Sequence, residues 1–265
     1  MKPRIPFAVL LAAACAVPAA WGAAASRSRV KIAPKNGKES SWKQTSTWLD
    51  YNVIDTLTPT VLDQGDFESR SRFFSGGGLV EYGYFGVYNG LNVGASLTAD
   101  GLIGSTNQTR MRDPEAQIKW RFYRGSRRIP AFAVGYDGQG YDYNQASKSY
   151  SEPRRGAFLT ASSSLGVPGL EIVPSVNMTD FSGAGVAGAI AAAYEIKGIV
   201  ELMSEWDDIR AASQSRFNAG LRVNITQNFE VAFSVRAIGQ GGAFAGGLPR
   251  GDERVLELYY RGDLF

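Results

Sequence analysis

The stretch SRFNAGLRVNITQNFEVAFSVRAI, Ser215 to Ile238, decides how the rest of the chain is read. From Phe217, large or apolar residues take every second position: Phe217, Ala219, Leu221, Val223 and Ile225. Asn218, Gly220, Arg222 and Asn224 lie between them. After Thr226-Gln227-Asn228 the alternation returns with Phe229, Val231, Phe233, Val235 and Ala237. A period of two belongs to a strand with one apolar and one polar face. Folding the stretch about Gln227 predicts a hairpin pairing Ile225 with Phe229, Val223 with Val231 and Leu221 with Phe233. Its other face pairs Asn224 with Glu230 and Asn218 with Arg236. Strands of about ten residues are long enough to cross a bilayer when tilted.

Outward from this hairpin, the same pattern predicts about twelve strands in all. Before it come Phe67–Phe74, Leu79–Tyr88, Leu91–Thr98, Ala116–Tyr123, Ala131–Tyr136, Gly156–Leu165, Leu170–Met178, Val186–Ile196 and Ile199–Trp206. Val255–Phe265 follows it. The links alternate in length. Asn89-Gly90, Gly125–Arg128, Gly166–Gly169, Lys197-Gly198 and Thr226–Asn228 are short, while Gly101–Pro114, Asp137–Pro153, Thr179–Gly185, Asp207–Gln214 and Gly239–Arg254 are longer. The brief Ser75–Gly78 link is the exception. Short turns at one rim and long loops at the other are the habit of transmembrane barrels, the short ones periplasmic. A soluble β-sandwich gives no reason for sorting loops by parity. Phe122, Phe132, Tyr194 and Phe229 fall near short turns, and Phe217, Tyr136 and Trp206 near long loops, as two interfacial belts would. The expected fold class is therefore an all-β, transmembrane antiparallel β-barrel of about twelve strands, with short periplasmic turns and longer extracellular loops.

The 265-residue chain opens on Lys2 and Arg4, an apolar run from Ile5 to Ala14, and small residues through Ala25. These features predict a signal peptide over 1–25, cleaved after Ala23-Ala24-Ala25. An alternative makes Cys15 a lipidated N-terminus, although the usual leucine three positions earlier is missing. Residues 26–64 are expected to form a basic periplasmic leader, with Arg27, Arg29, Lys31, Lys35, Lys38 and Lys43 against Glu39 before Asp50. The barrel is expected over 65–265. With no later apolar run of helical length, membrane insertion requires a closed sheet.

Chemistry is constrained as firmly. The chain has no histidine, so histidine general-base catalysis is excluded. Two-carboxylate chemistry would fall to Asp207-Asp208, or to Glu201 and Glu205, but adjacent loop aspartates are ordinarily just solvated. Asp137 and Asp142 offer oxygen ligands to calcium without a recognisable loop pattern. Gly183, Gly185 and Gly188 match a dinucleotide fingerprint, which would require Val186–Ile196 to be a helix. No such alternation of helices and parallel strands is visible. No enzyme activity, metal or cofactor is expected. By alternation, Lys119, Arg121, Arg222, Arg236, Glu201, Glu205, Glu230 and Glu257 face the lumen, forming either an interior ion-pair network or a charged conduit.

Thr58-Pro59-Thr60-Val61-Leu62 followed by Gly65 resembles the start of the YjbH-type outer-membrane barrel family. Pro114–Arg121 (PEAQIKWR), Ile129-Pro130-Ala131 and Gly135-Tyr136-Asp137 are similar in cadence to later strands of that family. The resemblance runs from about Asp55 to Asp142, and Leu57 interrupts the motif. It implies a short member of a family associated with exopolysaccharide production and export, with no catalytic residues to carry over. The terminal LELYYRGDLF, with Leu256, Leu258, Tyr260 and Leu264 on one face and Phe265 last, resembles the strand read by barrel-assembly machinery. Expected partners are thus outer-membrane lipid, that machinery, and polysaccharide or periplasmic envelope proteins, with no nucleic acid. The expected location is the cell outer membrane. The leading function is a non-enzymatic accessory to exopolysaccharide production or export; the alternatives are a small passive porin for polar solutes and a loop-based adhesion or scaffold barrel.

Overall fold

The computed structural model describes residues 50–104, 109–126, 129–144, 149–152, 156–178, 185–209, 215–239, 242–243, 249–250 and 252–264. The expected signal peptide, Cys15, residues 26–49 and Phe265 lie outside that set. Twelve strands make the wall: β1 (Asp66–Phe74), β2 (Gly78–Tyr88), β3 (Leu91–Asp100), β4 (Glu115–Tyr123), β5 (Ala131–Asp137) and β6 (Gly156–Ser162), then β7 (Leu170–Met178), β8 (Val186–Ile196), β9 (Val200–Ile209), β10 (Arg216–Asn224), β11 (Phe229–Arg236) and β12 (Glu253–Asp263). Each pairs antiparallel with its neighbours in sequence. β12 also pairs with β1, Asp263 opposite Asp66 and Leu256 opposite Phe73, so the sheet closes. Closure satisfies every wall ladder without a free edge, the condition for a sheet to cross lipid.

The wall follows the predicted alternation. In the β10–β11 hairpin Leu221 faces Phe233, Val223 faces Val231 and Asn224 faces Glu230. Phe217, Leu221 and Phe233 are exposed on the outside, as are Trp120, Ile190, Leu202 and Trp206 on other strands. The intervening residues, Asn218 and Arg222 among them, are buried inside. The outer face is the apolar surface of a membrane-embedded barrel. At Gly135 in the wall, neighbours use the space a side chain would take. A Cβ on Gly135 would come within 2.2 Å of the Ile118 carbonyl oxygen and 2.6 Å of the Phe158 ring.

Residues 50–58 are found inside the ring. They form a small hairpin: Asn52 bridges Leu57, the Val53 N–H donates to the Thr56 carbonyl (2.9 Å), and the Thr58 N–H donates to the Tyr51 carbonyl (3.0 Å). Val53 and Ile54 at its tip are fully buried and cluster with Val173, Ala191, Ala193, Met203, Ala232 and Tyr259, residues of five strands. Tyr51 and Leu57 pack with Val80, Tyr82, Tyr84 and Phe158. The chain then leaves along the short-turn rim, where the Gly65 N–H donates to Gly86 and the Leu264 N–H to Gly65 (both 2.9 Å). A Cβ on Gly86 would lie 1.9 Å from the Asp63 carbonyl oxygen, so only glycine lets the exiting chain lie this close. The sequence placed residues 26–64 together as a leader ahead of the barrel. Their described part differs: residues 50–58 fill the lumen, because the wall offers both apolar patches and arginines that water alone would have to fill.

Candidate functional site

The lumen is a stack of charge clusters, each joining the wall to the inserted hairpin. Nearest the short-turn rim, the Asp50 carboxylate is ion-paired with Arg222 of β10 and Arg261 of β12. Burial by itself pushes the Asp50 carboxyl up. The two guanidiniums outweigh that penalty and hold it below the ordinary aspartate range. Arg222 also bonds Glu201 (3.1 Å) and the carbonyls of Asn52 (3.0 Å) and Val53 (3.1 Å). Arg261 reaches Glu68 (2.7 Å) and Glu230 (3.3 Å) as well.

Above this, Lys119 Nζ donates to the carbonyls of Tyr51 and Thr58, both at 3.0 Å, and lies 3.1 Å from the Tyr51 ring centroid. One wall ammonium therefore ties the two legs of the hairpin together. The Tyr51 ring stacks on Tyr84 at 4.1 Å, and Tyr84 on Tyr82 at 5.8 Å. The Arg70 guanidinium lies 3.9 Å from the Tyr82 ring centroid and donates to the Tyr84 hydroxyl (3.2 Å). On the other leg the Thr160 hydroxyl donates to the Leu57 carbonyl (2.7 Å).

Nearest the long-loop rim, Asp55 is held by Arg72 (2.8 Å) and Arg236 (2.6 Å). Arg236 also pairs with Glu253, and Arg72 with Glu257 (3.6 Å). Glu205 accepts the N–H groups of Asp55 (3.0 Å) and Thr56 (2.7 Å) and the Asn218 side-chain amide (2.9 Å). Asp207 beside it pairs with Arg216 (2.8 Å). Asp55, Glu205 and Asp207 thus converge closely enough to suggest a metal. Arg72, Arg236, Arg216 and the two backbone donors already supply the positive charge there, so this is ion-pair chemistry. Burying such charges is tolerable only because they are paired and hydrogen-bonded.

Of the eight lumen charges expected from sequence, Lys119, Arg222, Arg236, Glu201, Glu205, Glu230 and Glu257 are buried inside the ring. Lys119, Arg222, Arg236 and Glu205 touch the hairpin directly. Glu257 accepts the Tyr259 hydroxyl (2.8 Å). Arg121 sits apart at the short-turn rim, half-buried, its N–H donating to the Gly90 carbonyl (2.7 Å). Asp50, Asp55, Glu68, Arg70, Arg72, Glu253 and Arg261 belong to the same network and were not among the eight; β1 alternation marks Glu68, Arg70 and Arg72, β12 alternation marks Glu253 and Arg261, and no local pattern marks Asp50 or Asp55. Glu201 pairs with Arg222, whereas Glu205 accepts from Asp55, Thr56 and Asn218, so the two carboxylates do not share a site. Val186–Ile196 is a strand and not the helix a dinucleotide site requires, and Gly183 lies outside the described residues. Asp137 accepts the Gln139 N–H (2.9 Å), while the Asp142 side chain lies outside them.

No protein-family model matches the chain, and no curated protein matches it. Among solved structures, the KdgM porin aligns with 10% identity over 74% of this chain and 98% of its own, with a TM-score of 0.48. The same porin in complex with disordered oligogalacturonate aligns with 11% identity, 74% and 98% coverage and a TM-score of 0.45. A mutant of Rh. blastica porin aligns with 14% identity over 70% of this chain and 55% of its own, with a TM-score of 0.35.

Proposed function

We propose that the chain is a non-enzymatic outer-membrane protein whose barrel is closed at rest by its own residues 50–58, acting as an accessory to exopolysaccharide production or export. The observation that carries the closed barrel is the hairpin itself, buried in the ring and bonded to Lys119, Arg222, Arg236, Arg72 and Glu205. Its two tip residues, Val53 and Ile54, are fully withdrawn from water, which favours the inserted state by about 1.5–3 kcal/mol for each side chain. The polysaccharide role rests on the resemblance at Thr58–Leu62, and its test is the amount of secreted polysaccharide in a strain lacking the protein. An unchanged amount rejects that role and leaves the barrel reading untouched.

The passive porin for polar solutes is the second reading, favoured by the charged, tyrosine-bearing wall. Planar-bilayer recording of the refolded full chain separates the two. A barrel closed at rest gives a silent baseline with at most brief openings. Steady ohmic conductance makes it an open porin and rejects the closed barrel.

A further inference from the structure

We propose that residues 50–58 are a removable gate that withdraws through the short-turn rim, turning the closed barrel into a conduit. This rests on the closed-barrel reading and adds a moving part to it. Three observations carry it.

The first is topology. Both legs of the hairpin end at one rim: Asp50 on Arg222 and Arg261, near the ends of β10 and β12, and residues 58–65 against Gly86 and Leu264. The tip alone points toward the long loops, with Asp55 on Arg72 and Arg236. A hairpin with both ends at one rim slides out without threading past any strand or breaking the barrel ladder.

The second is the charge pairing of the wall. Every arginine that holds a hairpin aspartate has a wall carboxylate of its own: Arg222 has Glu201, Arg261 has Glu68 and Glu230, Arg72 has Glu257, and Arg236 has Glu253. Departure of the hairpin strands no buried arginine, Asp50 and Asp55 regain water, and Lys119 exchanges the Tyr51 and Thr58 carbonyls for water. A permanent core element has no need of wall arginines that are already neutralised. Its removal ordinarily leaves uncompensated charge at a cost that forbids it.

The third is the contact surface. Half of the seat of Val53 and Ile54 is made of small side chains, Ala191, Ala193 and Ala232, beside Val173, Met203 and Tyr259. The emptied lumen would be lined mainly by the paired charges and by Tyr82, Tyr84 and Tyr259, with Val80, Val173 and Met203 newly wetted, an exposure that favours return of the hairpin.

The test uses the full chain carrying Cys15→Ser, reconstituted in planar bilayers. Asp50→Asn and Asp55→Asn each weaken a charged latch and are expected to raise the open fraction about 30-fold, the equivalent of about 2 kcal/mol. Leu57→Cys with Thr160→Cys, oxidised, is expected to abolish openings, and reductant to restore them. A folded Asp50→Asn/Asp55→Asn barrel that stays as closed as the parent overturns the gate, as does an oxidised cross-linked barrel that opens freely. Replacing 50–58 with a glycine-serine linker separates the two readings. If only that variant conducts, the hairpin is a fixed core piece: the gate fails and the closed barrel stands. If the unaltered chain conducts steadily, the closed barrel fails first.

Discussion

Arg222→Met is the most informative single perturbation of this lumen. The side chain is 2% exposed, so its interactions are little weakened by solvent. It spans two partners with different fates: Asp50 on the hairpin and Glu201 on β9. It also donates to the Asn52 and Val53 carbonyls. Methionine keeps most of the volume and removes all of these bonds. Asp50 retains Arg261, but Glu201 loses its arginine, and breaking one side of a buried pair costs about 3–5 kcal/mol. The expected loss is about 3 kcal/mol, because Arg261 continues to compensate Asp50. Glu201→Gln in the same background removes the stranded carboxylate and should return at least about 1 kcal/mol of it. Urea unfolding of the refolded barrel in detergent, followed by the loss of its heat-modifiable mobility, measures all four corners of this cycle. Strictly additive effects of Arg222→Met and Glu201→Gln would refute the reasoning, since they would mean that the pair does not act as one unit.

Three further outcomes follow from the same geometry. Leu221→Arg places a charge on the outer wall between Leu202 and Phe233 and should destabilise the reconstituted barrel by about 2–4 kcal/mol; an unchanged urea midpoint in lipid would mean that this face does not meet hydrocarbon. Gly135→Ala drives a methyl into the Ile118 carbonyl and the Phe158 ring and should cost about 1–3 kcal/mol, while Gly166→Ala, with open space but a positive φ of 78°, should cost less in the same assay. The Asp50 latch should also titrate. Its carboxyl is held below the ordinary value, so its stabilisation is full above about pH 3.9 and is lost as pH falls through the lower folded value. The stability difference between the parent and Asp50→Asn should therefore be level from pH 7 to 5 and shrink below about pH 3.9, with Arg222, Arg261 and Glu230 as the groups facing Asp50. A difference that shrinks already at pH 5 contradicts that direction.

The wall was legible because alternation is a local property. Leu170–Met178 and Val186–Ile196 were bounded from sequence as they stand in the fold, and the pairing of Leu221 with Phe233 followed from one turn. Alternation also tells inside from outside, which brought Lys119, Arg222, Arg236 and Glu205 to the lumen. It carries no information about what the lumen contains. The hairpin was missed because Asp50, Asn52, Asp55 and Thr58 read as a polar leader when taken alone; only the sum of contacts from strands around the ring makes them interior. A signal was present in the wall, in the positions that face inward and are not polar. Val80, Val173, Met203, Ala191 and Ala232 are buried on the lumen side, where a water-filled pore would leave them wet. Apolar residues on the inner face of a barrel call for something apolar to cover them; Val53-Ile54 reaches Val173, Met203, Ala191 and Ala232, and Tyr51 with Leu57 reaches Val80. Reading the inner face for its apolar exceptions, and then searching the adjoining chain for their complement, recovers the closed state that the charges alone leave undecided.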